Sequence, residues 1–178
     1  MMRTALLSFA CTWVAFGGPP VLTELQPRGA ERGRPFLLTV VGRDIPEGAM
    51  LSSTMPASFT PAMSSDAQVR MQAGRAASFL VEPRQDVAPG VYPVRIAGAT
   101  GISNILLFSV GSFPEVAEEE SGMYSRPNRN DSIETAQPVQ SVPVVLNGTL
   151  RGPERDLYRV YGKAGERRVF EVDAGRCG

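Results

Sequence analysis

Residues 86–110, DVAPGVYPVRIAGATGISNILLFSV, decide the fold of this chain. A Pro-Gly turn is followed by residues 91–96, which are rich in β-branched and aromatic side chains and predict a strand. Glycines at both ends of the next turn allow residues 105–110 to return as a second strand. Pro93 has no N–H to give to a neighbouring strand, so it predicts an edge position for the first of the two.

Further short strands are predicted upstream of this pair. Residues 36–41 form an apolar run, residues 77–81 form another, and weaker strands are expected around residues 49–53 and 69–71. Six or seven short strands at this spacing are typical of an immunoglobulin-like β-sandwich. We therefore predict an all-β protein whose first domain spans residues 20–112.

The N-terminal residues 1–18, MMRTALLSFACTWVAFGG, have the layout of a secretory signal peptide. One positive charge, Arg3, precedes an apolar run over residues 5–16, and small residues follow it. The run is too short to span a bilayer, and a buried N-terminal strand or helix is the alternative interpretation. We expect a secreted protein, extracellular or periplasmic, with no membrane span in its mature form.

Residues 113–138 differ in composition from what precedes them. They contain three consecutive glutamates, residues 118–120, followed by Ser, Gly, Pro and Asn. Too few apolar residues are present to bury a core, which indicates an exposed acidic and polar linker. The glutamates could form a ligand-binding tail, but a solvated hinge is the favoured interpretation.

The last segment, residues 139–178, reads as three alternating strands, over residues 142–150, 157–161 and 169–173. Gly-rich turns between them predict antiparallel hairpins. A three-stranded sheet without an opposing layer leaves one apolar face exposed. We therefore predict an incomplete second β-domain.

Four short motifs in this region follow one another in a recognisable order. They are Asn130-Asp131-Ser132 with Ala136, Gly148 with Leu150, Asp156 with Tyr158, and Lys163-Ala164-Gly165. This order resembles the N-terminal part of the bacterial pre-peptidase C-terminal domain, which implies a partial second β-sandwich of jelly-roll-like form. The family's later strands would follow residue 178, so the resemblance implies a fragment or a truncated product.

The first domain resembles the Ig-like modules of the IPT/TIG type. The resemblance lies in LLTVVGRDI, residues 37–45, and in the closing strands of residues 90–110. Such modules occur beside pre-peptidase C-terminal domains in large secreted bacterial proteins. The resemblance thus implies the same arrangement here.

The residue inventory excludes many kinds of active site. There is no His, and after loss of the signal peptide Cys177 is the one Cys left, so Ser-His-Asp, Cys-His and thiolate or imidazole metal sites are excluded. The single Lys, Lys163, lies at a turn, and Ser103 lacks the glycine of a nucleophile elbow. We expect no catalytic residue, no cofactor-binding residue and no enzyme activity.

Calcium is the one metal that the resemblance suggests. Relatives of the pre-peptidase C-terminal domain chelate it at positions that correspond to Asn130, Asp131 and Asp156. Arg126 and Arg155 stand where they would oppose a cation, and three ligands fall short of the six to eight that calcium takes. The favoured interpretation is that no residue here binds a metal.

The expected function is that of a secreted, non-catalytic accessory or adhesion protein associated with a secreted peptidase. Balanced charges, 18 basic against 18 acidic, give no reason to expect a nucleic-acid partner, which leaves an unidentified protein or polysaccharide surface. The alternatives are the N-terminal part of a larger secreted hydrolase, with a catalytic domain beyond residue 178, and a degenerate remnant. Two glycosylation sequons, at Asn130 and Asn147, would matter only in a eukaryote.

Overall fold

The computed structural model describes residues 18–63, 74–118, 130–148, 150, 153 and 155–172. The predictions for residues 1–17 and 69–71, together with those on Glu119, Glu120, Arg126 and Cys177, lie outside the described residues. Within the described ranges the secondary structure is entirely β, which confirms the predicted fold class. The domain boundaries stay predictions.

The described residues form thirteen strands. They are β1 (Val21–Gln26), β2 (Gly29–Glu31), β3 (Phe36–Arg43), β4 (Met50–Ser53), β5 (Ala57–Ala62), β6 (Ala76–Pro83), β7 (Gly90–Gly98), β8 (Gly101–Ile102), β9 (Leu106–Gly111), β10 (Glu115–Ala117), β11 (Gln137–Val139), β12 (Val145–Asn147) and β13 (Tyr158–Val160).

The first nine strands make two sheets. The first sheet has the order β1-β3-β6-β5 and is antiparallel throughout. The second sheet has the order β2-β9-β7-β4, with β2 parallel to β9 and the other pairs antiparallel, and β8 pairs with the end of β7. Alternating side chains from both sheets meet in one core, so the two sheets form an Ig-like β-sandwich.

The core is aliphatic with a few aromatic rings. Its most deeply buried side chains, all with a relative exposure below 2%, include Leu38, Val40, Phe79, Val81, Val94, Ile96 and Phe108. The rings of Phe36 on the first sheet and Phe108 on the second stack with centroids 5.1 Å apart and an interplanar angle of 5°. A ring pair of this kind adds about 0.5–1.5 kcal/mol beyond the area that it buries.

The prediction that β7 is an edge strand is wrong. β7 lies between β9 and β4, so it is an interior strand of the second sheet. Proline is tolerated because β4 pairs only with residues 94–97, so Pro93 has no β4 residue beside it. Only β9, through Leu107, is paired with Pro93.

Beyond residue 112 the strand pairing also differs from the prediction. β10 and β11 lie in the segment predicted to be a linker, and each forms a short parallel pair, β10 with β12 and β11 with β13. The predicted hairpins are therefore absent from the described residues, because β12 and β13 take partners upstream in the chain. Glu118, predicted to be solvated, is only 4% exposed.

The turn predicted at residues 162–165 is present, but the strand after it is not. The Glu166 amide donates to the Lys163 carbonyl at 3.1 Å, and Gly165 has a φ of 81°, which favours glycine. No strand is assigned over residues 166–172. Val169, Phe170 and Val172 are 93%, 76% and 88% exposed.

Candidate functional site

Polar contacts join the two short strand pairs next to the sandwich. The Glu118 amide at the end of β10 donates to the Asn147 carbonyl at 2.7 Å. The Gln137 side chain on β11 donates to the Ala117 carbonyl at 3.1 Å, which links the two pairs. This junction is the largest concentration of buried polar side chains in the described part of the chain, because Glu118, Asn130 and Gln137 are all buried there.

Glu118 and Asn130, together with Asp156 and Tyr158, form what we call the junction cluster. Asn130 is 1% exposed, and its side-chain amide donates to the Glu118 carboxylate at 3.3 Å. The Leu157 amide donates to the Asn130 carbonyl at 2.9 Å, which brings the preceding residue, Asp156, alongside. The cluster therefore unites residues from three separate stretches of sequence.

Gly148 makes room for this cluster. A Cβ built on it would lie 2.7 Å from the Glu118 carboxylate and 3.2 Å from the Tyr158 hydroxyl. Burial, with the charges of Glu118 and Asp156, raises the pKa of Tyr158 far above its ordinary value. The hydroxyl consequently stays protonated and does not act as a base.

A second carboxylate, Glu115, holds β10 to the end of the sandwich. Its oxygens lie against Gly29 of β2 and Gly111 of β9, at 3.2–3.3 Å from where a Cβ would stand, and the Asn147 side-chain amide donates to it. Burial raises its pKa, the hydrogen bond from Asn147 lowers it, and the charge of Glu31 raises it further. The arrangement attaches β10 to the sandwich rather than presenting Glu115 to a substrate.

The residues considered for calcium do lie close together. Asn130 and Asp131 are consecutive, Asp156 lies beside them, and Oδ1 of both Asn130 and Asp131 is buried without a hydrogen bond from a described residue. Even so, the described ranges contain no group of three or more acidic, Cys or His side chains that could hold a metal ion. The Asn130 amide also points its N–H₂ at Glu118, as a hydrogen-bonded pair requires. The expectation that no residue here binds a metal stays a prediction.

The other residues considered from the sequence are the possible nucleophiles Ser103 and Lys163 and the glycosylation sequons at Asn130 and Asn147. Ser103 is buried, accepts a hydrogen bond from the Ile96 amide at 3.0 Å and donates to the Asn104 carbonyl at 2.7 Å. Lys163 is exposed at its turn. Asn130 is too buried for glycosylation of the folded chain, and Asn147 is engaged by Glu115. None of them forms a nucleophile–base pair in the described structure.

The concave regions of the described structure include two of very different size. One, of about 30 Å³, lies between β1 and the β10–β12 pair and is lined by residues 24–28 with Ala117, Asn147 and Gly148. That volume is enough for about one or two water molecules. The other, of about 600 Å³, is wide open and is bordered by exposed residues of the 161–168 turn.

Sequence reasoning missed Glu115, Glu118 and Tyr158 as parts of a polar junction. Glu118 stood in a run of three acids, and a charge run normally indicates a solvated segment. One signal in the sequence was Gly148, which follows the strand residue Asn147. A glycine beside a strand often marks a place where other groups approach the backbone closely.

The comparisons with known proteins found little. No family model matches the chain, and no curated protein matches it. Among solved structures, the crystal structure of the Lin-41 filamin domain is similar at 14% sequence identity and a TM-score of 0.36, over 54% of this chain and 99% of that one. The assignment of an Ig-like sandwich therefore rests on the two sheets and their shared core. None of the described residues belongs to an apolar helix of membrane-spanning length.

Proposed function

We propose that this chain is a secreted, non-catalytic β-sandwich module with an accessory or adhesion role. One observation carries the proposal. In the described structure, the polar side chains inside the fold form hydrogen bonds that hold strands together, and they do not surround a cavity. Glu118 is paired with Asn130, Glu115 with Asn147, and the Ser103 hydroxyl with backbone groups. Catalytic groups need a pocket in which substrate and reactive side chains meet.

Association with a secreted peptidase is the finer part of this proposal. It is supported by the resemblance of residues 130–165 to a pre-peptidase C-terminal domain, and by the signal-peptide layout of residues 1–18. An exported β-sandwich whose described residues form no reactive constellation suits the spacing or presentation of another protein. The partner surface is protein or polysaccharide.

Export is tested by expressing the full chain with its own N-terminus in a bacterial host. We expect the protein in the periplasm or medium, with an intact mass that corresponds to cleavage near Gly17 and Gly18. Cytosolic protein that retains residues 1–17 would overturn the secretory assignment.

The non-catalytic assignment is tested separately. Purified chain is incubated with a library of peptide, ester and glycoside substrates, and we expect no turnover above buffer. Turnover that disappears on a single substitution of a described polar residue, such as Glu118→Gln, would show an active site. An in-frame continuation of the gene beyond codon 178 with a His-containing active site would instead support the hydrolase alternative.

A further inference from the structure

The outer face of the second sheet is apolar and exposed along β4, β7 and β8, whereas Glu115 lies against its β2–β9 edge. Side chains directly opposite each other in an antiparallel pair lie on the same face. Met50 is opposite Ala97, Ala97 is opposite Ile102, and Pro93 is opposite Leu107. These side chains alternate with those of the core, so they point away from it. Met50 is 66% exposed and Ile102 58%.

One charge stands in the middle of this apolar face. Arg95 lies on β7 between Pro93 and Ala97, opposite Ser52 on β4. It has no ion pair or side-chain hydrogen bond with a described residue. The first sheet is different, because polar pairs such as Ser58 with Glu82, at 3.0 Å, occupy its outer face.

A second exposed apolar surface lies near the other end of the chain. Val169, Phe170 and Val172 are the most exposed group of apolar side chains close together in sequence in the described structure. We call residues 169–172 the apolar segment. Its one charge is Glu171, which is likewise exposed and has no ion pair or hydrogen bond with a described residue.

The two surfaces complement each other in chemistry. Each combines several exposed aliphatic or aromatic side chains with one charge that no described residue pairs, and the charges, Arg95 and Glu171, are opposite in sign. Apolar surface of this kind marks an interaction site. The outer face carries no Trp or Tyr on which a sugar ring could stack, so it suits a protein segment.

We propose that two copies of this chain associate by reciprocal exchange of the apolar segment. Residues 169–172 of each copy lie across the outer face of the second sheet of the other copy, with Glu171 against Arg95. Reciprocal exchange covers both surfaces of both copies and closes the assembly as a two-fold dimer. The proposal stands whether or not the chain is exported or acts as an accessory protein.

The test is the mass of the full chain in solution, measured by sedimentation velocity over a range of concentrations. Because each exchanged segment is short, we expect a dissociation constant of about 1–100 μM and a reversible change from one chain to two. Arg95→Glu and Glu171→Arg should each weaken the dimer by at least about tenfold, and the double variant should recover most of that loss. Arg43→Glu reverses an exposed charge on the first sheet and is the matched control, with no expected change.

Two further variants address the apolar contact. Phe170→Asp and Ile102→Asp both alter exposed side chains, so each should fold and remain a monomer, with the melting curve that the parent has at concentrations where the parent is monomeric. A parent chain that is monomeric at every concentration would refute the exchange and leave the face to a different occupant. A dimer that survives Phe170→Asp, or charge reversals whose losses add in the double variant, would refute it as well.

Discussion

The side-chain amide of Asn130 donates a hydrogen bond to the carboxylate of Glu118, although the two side chains are only 1% and 4% exposed. A buried carboxylate is costly unless it is paired or hydrogen-bonded. This contact joins the end of β10 to the stretch before β11, and the Leu157 amide adds β13 to it through the Asn130 carbonyl. The pair thus holds together strands that are each only three residues long.

Removal of the amide tests this role. Asn130→Leu leaves the Glu118 carboxylate without one of its donors, and we expect a loss of about 1–3 kcal/mol in the free energy of unfolding. Urea denaturation measures it. Gln140→Leu makes the same chemical change at an exposed position and should shift stability by less than about 0.5 kcal/mol. If the two variants unfold at the same urea concentration, the pair contributes nothing.

The sandwich could be predicted from the sequence because its main strands are long and rich in apolar residues. β3, β6 and β7 have eight or nine residues each; β3 is an apolar run with four consecutive buried residues, whereas buried and more exposed residues alternate over most of β6 and in the middle of β7. The later strands could not be predicted as fully. Alternation over residues 145–147 and 158–160 indicates strands but does not select their partners, and the parallel partners lie 20 to 30 residues upstream. Pairing over such distances is decided by tertiary packing.

Glu115 should make the attachment of β10 depend on pH. Burial and the charge of Glu31 raise its pKa in the folded chain, despite the opposing hydrogen bond from Asn147. A carboxyl group with a raised folded pKa binds its proton more tightly when folded. The contribution of Glu115 to the stability of the fold is therefore largest when its carboxyl group is protonated. That contribution is lost as the pH rises from the ordinary carboxyl pKa through the raised one.

The variant Glu115→Gln removes this titration. We expect the melting temperature of Glu115→Gln relative to the parent to increase as the pH rises from about 4 to about 7, and then to level off. Thermal melts in a pH series measure the difference, which cancels the acidic-range effects of carboxyl groups such as Asp86, whose pKa is lowered by Arg84. Parallel curves at all pH values would contradict the assignment.

The stacked rings at the centre of the sandwich provide a stability test of the fold itself. Phe108 is fully buried and stacks on Phe36 of the opposite sheet, so Phe108→Ala removes both apolar burial and a contact between sheets. We expect a loss of about 3–5 kcal/mol, measured by calorimetry or denaturant unfolding. Phe113→Ala, at a position that is 48% exposed, should cost much less. Equal losses would mean that the two sheets do not share this core.

The contact of β1 with β3 depends on a glycine. A Cβ at Gly42 would overlap the Val21 carbonyl oxygen, and backbone atoms of Leu22 are also close. Because the obstacle is backbone and cannot rotate away, Gly42→Ala must separate the start of β1 from β3, at a cost of about 1–3 kcal/mol. Gly90→Ala, where nothing lies within 4 Å of the new Cβ, is the matched control and should be neutral or slightly stabilising.

Hydrogen exchange of the β1 amides distinguishes a local separation from a global loss of stability: in Gly42→Ala we expect faster exchange in β1 than in β6. If amide exchange in β1 is unchanged in Gly42→Ala, the close contact between Gly42 and β1 is contradicted.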